Sequence, residues 1–176
     1  MNNRIEIKRL CLSAVFTVIL VVSAWISFPF FGNVLMTAQT LGVALCGYFL
    51  GMGAGSMALG AYLLLGLVGA PVFSGFLGGA GILFGPSGGF LYGFFAILLL
   101  CAVGRDKGRV TAWSLGTLGV ILCHICGILH FCAVSHVGIA AAFMGVSLPF
   151  ILKDVLSVVA AHTLSSILKK RFNSLY

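Results

Sequence analysis

The chain runs from residue 10 to residue 104 without a single Asp, Glu, Lys or Arg. One helix that spans a lipid bilayer needs about 20 consecutive apolar residues, so this stretch is long enough for several. A soluble domain cannot cover its surface from such a sequence, because charged side chains are what keep that surface in water. The stretch therefore predicts several membrane helices in succession.

The composition indicates a folded membrane protein. Hydrophobic residues make up 61% of the 176 residues and charged residues 7%, whereas soluble domains carry roughly 25% charged residues. A disordered chain is excluded, because disorder requires low hydrophobicity. The length is enough for six helices of about 20 residues with their connections, and we expect one transmembrane domain over residues 1–176.

Proline and glycine divide the apolar sequence. A glycine-dense passage at 71–89 contains too many breakers for a regular helix, and shorter breaks occur at Pro29, at Gly32 and Asn33, and at 51–56. The fold class is thus an all-α membrane protein with six transmembrane helices. The predicted spans are 10–28, 35–50, 58–69, 90–103, 111–131 and 147–168.

The charged residues predict the orientation of these helices. Basic clusters lie at 4–9, 105–109 and 169–171, and Lys and Arg favour the cytoplasmic side of a membrane. Four spans before 105–109 and two after it place all three clusters, and so both termini, in the cytoplasm. The glycine-rich loop between helices 3 and 4 then lies on the outer side.

The basic clusters have two alternative interpretations. Nucleic-acid binding is disfavoured, because the net charge of +7 is split among short clusters beside the membrane. A basic start followed by an apolar run is also typical of a secretory signal peptide. No small-residue cleavage site follows cleanly, so we expect a retained first helix.

Lys153 and Asp154 are the charged residues that topology does not explain. Each charge at the centre of a spanning helix costs about 2.5–3.5 kcal/mol. Asp154 precedes Lys169 by 15 residues, or about 22 Å of helix, which places the pair in the outer part of the membrane. Adjacent residues point about 100° apart on a helix, so we expect the two not to face each other closely. A polar cavity open to the outside is favoured over simple snorkelling of Lys153.

Residues near that depth predict the rest of a pocket. The outer glycine-rich passage supplies Phe73 as an apolar wall, and the start of the second span supplies Thr37, Gln39 and Thr40 as neutral hydrogen-bonding groups. A mostly apolar pocket with a few polar groups suits a small amphipathic organic solute. A hydrated inorganic ion would need more acceptors.

Glycine spacing predicts close helix packing. Gly47, Gly51 and Gly55 recur every four residues, and so does a second set that begins in the glycine-rich passage. Small residues at that spacing share one helical face and let two backbones approach. The second set consists of Gly81, Gly85, Gly89 and Gly93.

The cysteines and histidines do not form a recognised catalytic or metal motif. The six cysteines lie in or beside apolar spans, where small thiols pack between helices. Cys126 with His130 is an alternative metal-ligand pair at i, i+4. No HExxH or GxxxxGK[ST] motif occurs, so we expect neither an intramembrane enzyme nor ATP hydrolysis by this chain.

Four segments resemble, in order, the signature segments of the BioY family. They are MTAQTLGVALCG at 36–47, YLLLGLVGAPVFSG at 62–75, LFGPSGGFLYGF at 83–94 and LPFILKDV at 148–155. That family comprises the biotin-binding substrate (S) components of energy-coupling factor (ECF) vitamin transporters. The resemblance covers residues 10–168, and the four ordered motifs together make it specific.

The resemblance implies a function for the pocket. Six membrane helices of a bacterial plasma-membrane protein would capture biotin from outside, with transport powered by a separate transmembrane T component and two cytoplasmic ATPases. Biotin is then the transported ligand, and no cofactor or metal is implied. An S component for another vitamin, or a structural membrane protein, is the alternative. The implied substrate-binding residues are Asp154, Lys153, Gln39, Phe73, Gly85, Ser87 and Gly88.

Two positions depart from the family pattern. The acid of the last helix is often followed three residues later by a lysine, where this chain has Ser157. The first helix of S components typically presents alanines four apart to the T component, and the nearest small pair here is Ser13 with Thr17. We expect that pair to mark a weak docking face.

Overall fold

The structure, a computed structural model, describes residues 2–31 and 34–173. Long helices dominate these residues, and a two-stranded antiparallel hairpin follows the first helix. The elements are α1 (Asn2–Trp25), β1 (Ser27–Phe31), β2 (Val34–Thr37), α2 (Gln39–Leu50, π-helical over Cys46–Leu50), α3 (Met52–Leu67), a 3₁₀ turn (Ser74–Phe76), α4 (Ala80–Leu83), α5 (Gly88–Gly104), α6 (Arg109–Ser135), α7 (Ile139–Val146) and α8 (Leu148–Asn173).

Within residues 2–31 and 34–173, three helices are long and apolar enough to cross a membrane. They are Glu6–Trp25 within α1, the whole of α6, and Leu148–Arg171 within α8. Three further apolar helices, α2, α3 and α5, are shorter. Each of the six overlaps one of the predicted apolar spans, so the prediction of a mostly helical membrane protein is confirmed. The second span was predicted to begin at residue 35, but residues 35–37 belong to β2 and the helix begins at Gln39.

The hairpin after α1 was not expected. The first span was predicted to continue to residue 28, but α1 ends at Trp25, and Ser27 then pairs with Thr37. Pro29 has no N–H for a helical hydrogen bond, and the aromatic residues around it favour extended backbone. The predicted break at Gly32 and Asn33 lies outside the described residues.

A single residue turns the chain between α2 and α3. Gly51 has a φ of +81°, a conformation that glycine adopts without strain. The Arg105 guanidinium donates a hydrogen bond to the carbonyl of Leu50 at 3.1 Å and fills the space where a side chain at Gly51 would lie. The third span was predicted to begin at residue 58. Because the turn is this tight, α3 begins at Met52 instead.

The charged residues of the α5–α6 loop and of α8 meet at one end of the helices, which we call the basic end. Lys169, near the end of α8, donates to Asp106 in the α5–α6 loop at 3.4 Å. Arg105 of the same loop contacts the end of α2. The hairpin lies at the other end, where the Trp25 indole donates to the carbonyl of Pro71 at 2.8 Å.

Ser13 and Thr17 of α1 face the interior of the chain. Ser13 donates to the carbonyl of Ala54 at 2.9 Å, and Thr17 donates to that of Ala58 at 3.1 Å. Both hydroxyls are therefore buried against α3. The expectation that this pair marks a docking face is wrong, because α3 already covers it.

Glycines bring α5 and α6 into close contact. A Cβ at Gly93 of α5 would lie 2.8 Å from the Cα of Cys123, and one at Gly119 of α6 would lie 2.8 Å from the Cα of Ile97. Packing through small residues is thus confirmed for this pair of helices. The repeat does not extend over one helix to Gly81, because the chain breaks between α4 and α5.

Gly93→Ala should lower the stability of the detergent-solubilised protein by about 1–3 kcal/mol, because the new methyl group overlaps the α6 backbone. The readout is the midpoint of thermal unfolding. Gly60→Ala is the matched control: it lies within α3 with nothing inside 4 Å of the added Cβ. Equal midpoints for the two variants would contradict the close α5–α6 contact.

Candidate functional site

Asp154 is the centre of a buried polar cluster. It lies in the second turn of α8 with 7% of its surface exposed. Its Oδ1 accepts hydrogen bonds from Thr40 Oγ1 at 2.6 Å and from Lys153 Nζ at 2.5 Å, and its Oδ2 lies 3.1 Å from His124 Nε2. A buried carboxylate requires such donors, and here they come from α2, α6 and α8.

Lys153 joins the carboxylate to the hairpin. Its Nζ also donates to the carbonyl of Thr37, the last residue of β2, at 2.8 Å. The expectation that Lys153 and Asp154 do not meet is wrong, because the long flexible stem of the lysine carries its ammonium group round to the neighbouring carboxylate. A cation and an anion therefore compensate each other inside the protein.

His124 extends the cluster to the start of α8. Its Nδ1 lies 2.8 Å from the hydroxyl of Ser147, a fully buried residue at the break between α7 and α8. The ring of Phe90 meets the imidazole edge to face, with centroids 5.7 Å apart. The imidazole is thus held on both nitrogens and on its side.

Gln39 continues the cluster toward α3. Its Nε2 donates to the Tyr62 hydroxyl at 2.6 Å, and its Oε1 accepts from the Thr37 hydroxyl at 3.0 Å. The ring of Phe73 packs edge to face on Tyr62, at 5.4 Å between centroids, and lies over Gly66. Thr37 links the Gln39–Tyr62 pair to the Lys153–Asp154 pair, because its hydroxyl binds Gln39 and its carbonyl binds Lys153. The Asp154 cluster consists of Thr37, Gln39, Thr40, Tyr62, His124, Ser147, Lys153 and Asp154.

The glycine-rich candidates lie beside this cluster. The carbonyl of Gly85 lies 3.1 Å from His130 Nε2, and Gly88 packs against Leu83 and His130. Ser87 is exposed just before α5. His130 stands six residues beyond His124 on α6. Gly85, Ser87 and Gly88 therefore lie one to two helical turns from the contact between His124 and Asp154.

Lys153 is also the cluster's link to the surface. It lines a groove between α2 and α8 with a volume of about 470 Å³, whose walls include Met36, Leu41 and Leu156. Ser157, the position where a lysine was expected, also lies there and donates to the carbonyl of Lys153 at 2.9 Å. One quarter of the Lys153 side chain is exposed, against 10% for Asp154.

The sequence interpretation missed three partners, His124, Ser147 and Tyr62. A signal existed for the first: a histidine inside an apolar helix needs a polar partner, and Asp154 is the one acidic residue far from the charged loops. Ser147 and Asp154 are seven residues apart, a spacing that puts two helical residues on one face. Tyr62 is the first residue of the segment 62–75 that resembles the family, but nothing in the sequence indicated its contact with Gln39.

The alternative metal site is not formed by the described residues. No group of three or more His, Cys, Asp or Glu side chains in ranges 2–31 and 34–173 is arranged to hold a metal ion. Cys126 is exposed, whereas Cys46, Cys101 and Cys123 are buried between helices, as expected of small packing thiols.

Known proteins resemble this chain over nearly its whole length. A model of the BioY family matches residues 1–174. The "Biotin transporter BioY" of Thermotoga maritima is 36% identical over 93% of this chain and 96% of its own length. The "Probable biotin transporter BioY" of Pyrococcus horikoshii is 34% identical over 88% and 91%. A crystal structure of "the S-component for biotin from an ECF-type ABC transporter" superposes with a TM-score of 0.87 at 26% identity, covering 97% of this chain and 95% of that one.

Thr40→Val should lower the unfolding free energy by about 1–3 kcal/mol, because it removes a hydrogen bond to a buried charged group while keeping the side-chain shape. Thermal unfolding in detergent measures the change. Thr163→Val is the control, since that exposed hydroxyl bonds only within its own helix turn. A stability equal to the control's would mean that Asp154 does not depend on Thr40.

Proposed function

This chain belongs to the BioY family and takes up biotin across the plasma membrane, and we propose that it binds the vitamin at the Asp154 cluster. The supporting observation is a carboxylate and an ammonium group held together among apolar helices. Charges at membrane depth are expensive and mark ligand pathways. Topology accounts for the basic clusters at the ends, but not for this pair.

The chemistry of the cluster matches the two polar ends of biotin. The ureido ring offers two N–H donors and one carbonyl acceptor, and the valerate chain ends in a carboxylate. Asp154 accepts from a ureido N–H, while Gln39 and Tyr62 can donate to the ureido carbonyl. Lys153, at the edge of the groove, can donate to the ureido carbonyl or meet the valerate carboxylate in a charge-assisted hydrogen bond. Phe73 supplies the apolar wall.

The proposed topology has six transmembrane helices in one domain. α2, α3 and α5 cross together with the three longer helices, since each joins the basic end to the hairpin end. Contacts of Lys169 with Asp106 and of Arg105 with Leu50 support a common side for the basic segments. That side is cytoplasmic by the preference of Lys and Arg, with both termini there and the glycine-rich loop outside.

Energy for uptake comes from other subunits in this proposal. The sequence contains no GxxxxGK[ST] motif for ATP, and the superposed crystal structure is an S component of an ECF-type transporter. We therefore assign this chain the role of substrate-binding subunit. Its partners are a transmembrane T component and two cytoplasmic ATPases.

Purified protein should bind biotin saturably, and Asp154→Asn should weaken binding about tenfold or more, because a neutral amide replaces an ionic acceptor. Asp106→Asn is the matched control, since that carboxylate is 77% exposed at the basic end. Isothermal titration measures the affinities, with thiamin and riboflavin as competitors. Absence of biotin binding argues against the function, and an unchanged Asp154→Asn affinity argues against the site.

Vesicles that contain this chain alone should bind labelled biotin without accumulating it. Addition of the T component and the two ATPases should make accumulation depend on ATP, because only those subunits couple hydrolysis to movement. Accumulation measured by filtration distinguishes the cases. Accumulation by the chain alone would contradict the proposed dependence on these partners.

A further inference from the structure

His124 connects two polar residues that stand two helical turns apart. Ser147 precedes α8 and Asp154 lies seven residues later, about 10 Å along the helix axis. The imidazole lies between them, with Nδ1 2.8 Å from the serine hydroxyl and Nε2 3.1 Å from Asp154 Oδ2. All three residues are more than nine-tenths buried. A histidine bonded in this way has little freedom to turn.

The arrangement places a hydrogen on the imidazole nitrogen that faces Asp154. Lys153 compensates the charge of Asp154, and an ionised carboxylate only accepts hydrogen bonds. His124 Nε2 must therefore carry the hydrogen that faces Asp154. Nδ1 faces the Ser147 hydroxyl at 2.8 Å, so the second ring nitrogen also has a hydrogen-bond partner.

Packing on α5 holds the same ring from the side. Phe90 meets His124 edge to face, and its own ring lies where a side chain at Gly127 would be. Its carbonyl also accepts a hydrogen bond from the Cys123 thiol at 3.5 Å. The position of the imidazole is thus determined by α5, α6 and α8 together.

The fixed imidazole determines which acceptor positions of the Asp154 carboxylate are occupied. A carboxylate has about four acceptor positions. Thr40 and Lys153 occupy two on Oδ1, and His124 occupies one on Oδ2. One acceptor position on Oδ2 remains. Without His124, the carboxylate could rotate and change which oxygen faces which donor.

We propose that His124, held by Ser147, is a positioning residue that keeps one Asp154 acceptor available for a ureido N–H and so makes the site select ligands with that group. This inference rests on the proposed binding of biotin at the cluster. The selected chemistry is a cyclic urea with a free N–H. Ligands whose ureido nitrogen carries a methyl group are rejected, because the fixed carboxylate cannot turn to avoid them.

The test compares two affinities in each variant. The ligands are biotin and biotin methylated on one ureido nitrogen, in both regioisomers, and titration calorimetry gives the ratio of their dissociation constants. Wild-type protein should prefer biotin strongly over at least one regioisomer. In His124→Phe that preference should fall by about tenfold, because the donor to Oδ2 is lost.

Two further variants separate positioning from structure. His124→Gln should restore most of the preference, since its terminal amide can donate to Oδ2 at a similar reach. Ser147→Ala should lower the preference, because Nδ1 loses the hydrogen-bond partner that holds the ring in place; this variant carries the comparison if His124→Phe does not fold. The matched control is His162→Phe, because the parent histidine packs on Tyr48 and Trp113 outside the cluster, and it should leave the preference unchanged.

The outcomes distinguish this inference from the function on which it rests. Wild-type protein that fails to bind biotin overturns both. If His124→Phe weakens the binding of methylated and unmethylated ligands by the same factor, the positioning role alone is overturned. The reason is that a merely structural defect lowers both affinities together. A selective loss, with recovery in His124→Gln, supports it.

Discussion

A carboxylate buried among apolar helices is the constraint on which the rest of the structure depends. Asp154 lies far from Glu6 and Asp106, which stand in the charged segments outside the apolar core. An unpaired charge at this depth is expensive, so donors must reach it from several directions. α2 supplies Thr40, α6 supplies His124, and α8 supplies Lys153. The relative positions of these helices are therefore tied to one side chain.

The irregular parts of the fold complete this arrangement. The hairpin brings the carbonyl of Thr37 to Lys153 and delivers Gln39 at the first residue of α2. Close packing at Gly93 sets the distance between α5 and α6, and so places Phe90 against His124. A strand pair and a glycine contact thus act on the same cluster. The site depends on backbone geometry as much as on the polar residues.

Sequence reasoning predicted the helical class and the central pair for one reason, which is that charge is scarce. Lys153 and Asp154 stood out against apolar surroundings, and Gln39 and Phe73 followed from neighbouring motifs. The partners His124, Ser147 and Tyr62 depend on how far each helix is rotated, which an apolar pattern on all faces does not reveal. The hairpin was missed because its aromatic residues are as apolar as those of a membrane helix. The angle between adjacent helix residues predicted that Lys153 and Asp154 would not meet. That prediction was wrong because the lysine side chain is long enough to reach its neighbour.

The exposures of the paired charges bear on how a solute meets the cluster. The Lys153 side chain is 25% exposed and lines the groove, whereas Asp154 is 10% exposed and enclosed by its donors. The ammonium group is therefore the more accessible partner of the ion pair, while the directional hydrogen bonds converge on Asp154. One compensated pair thus has one member at the edge of the cluster and one at its centre.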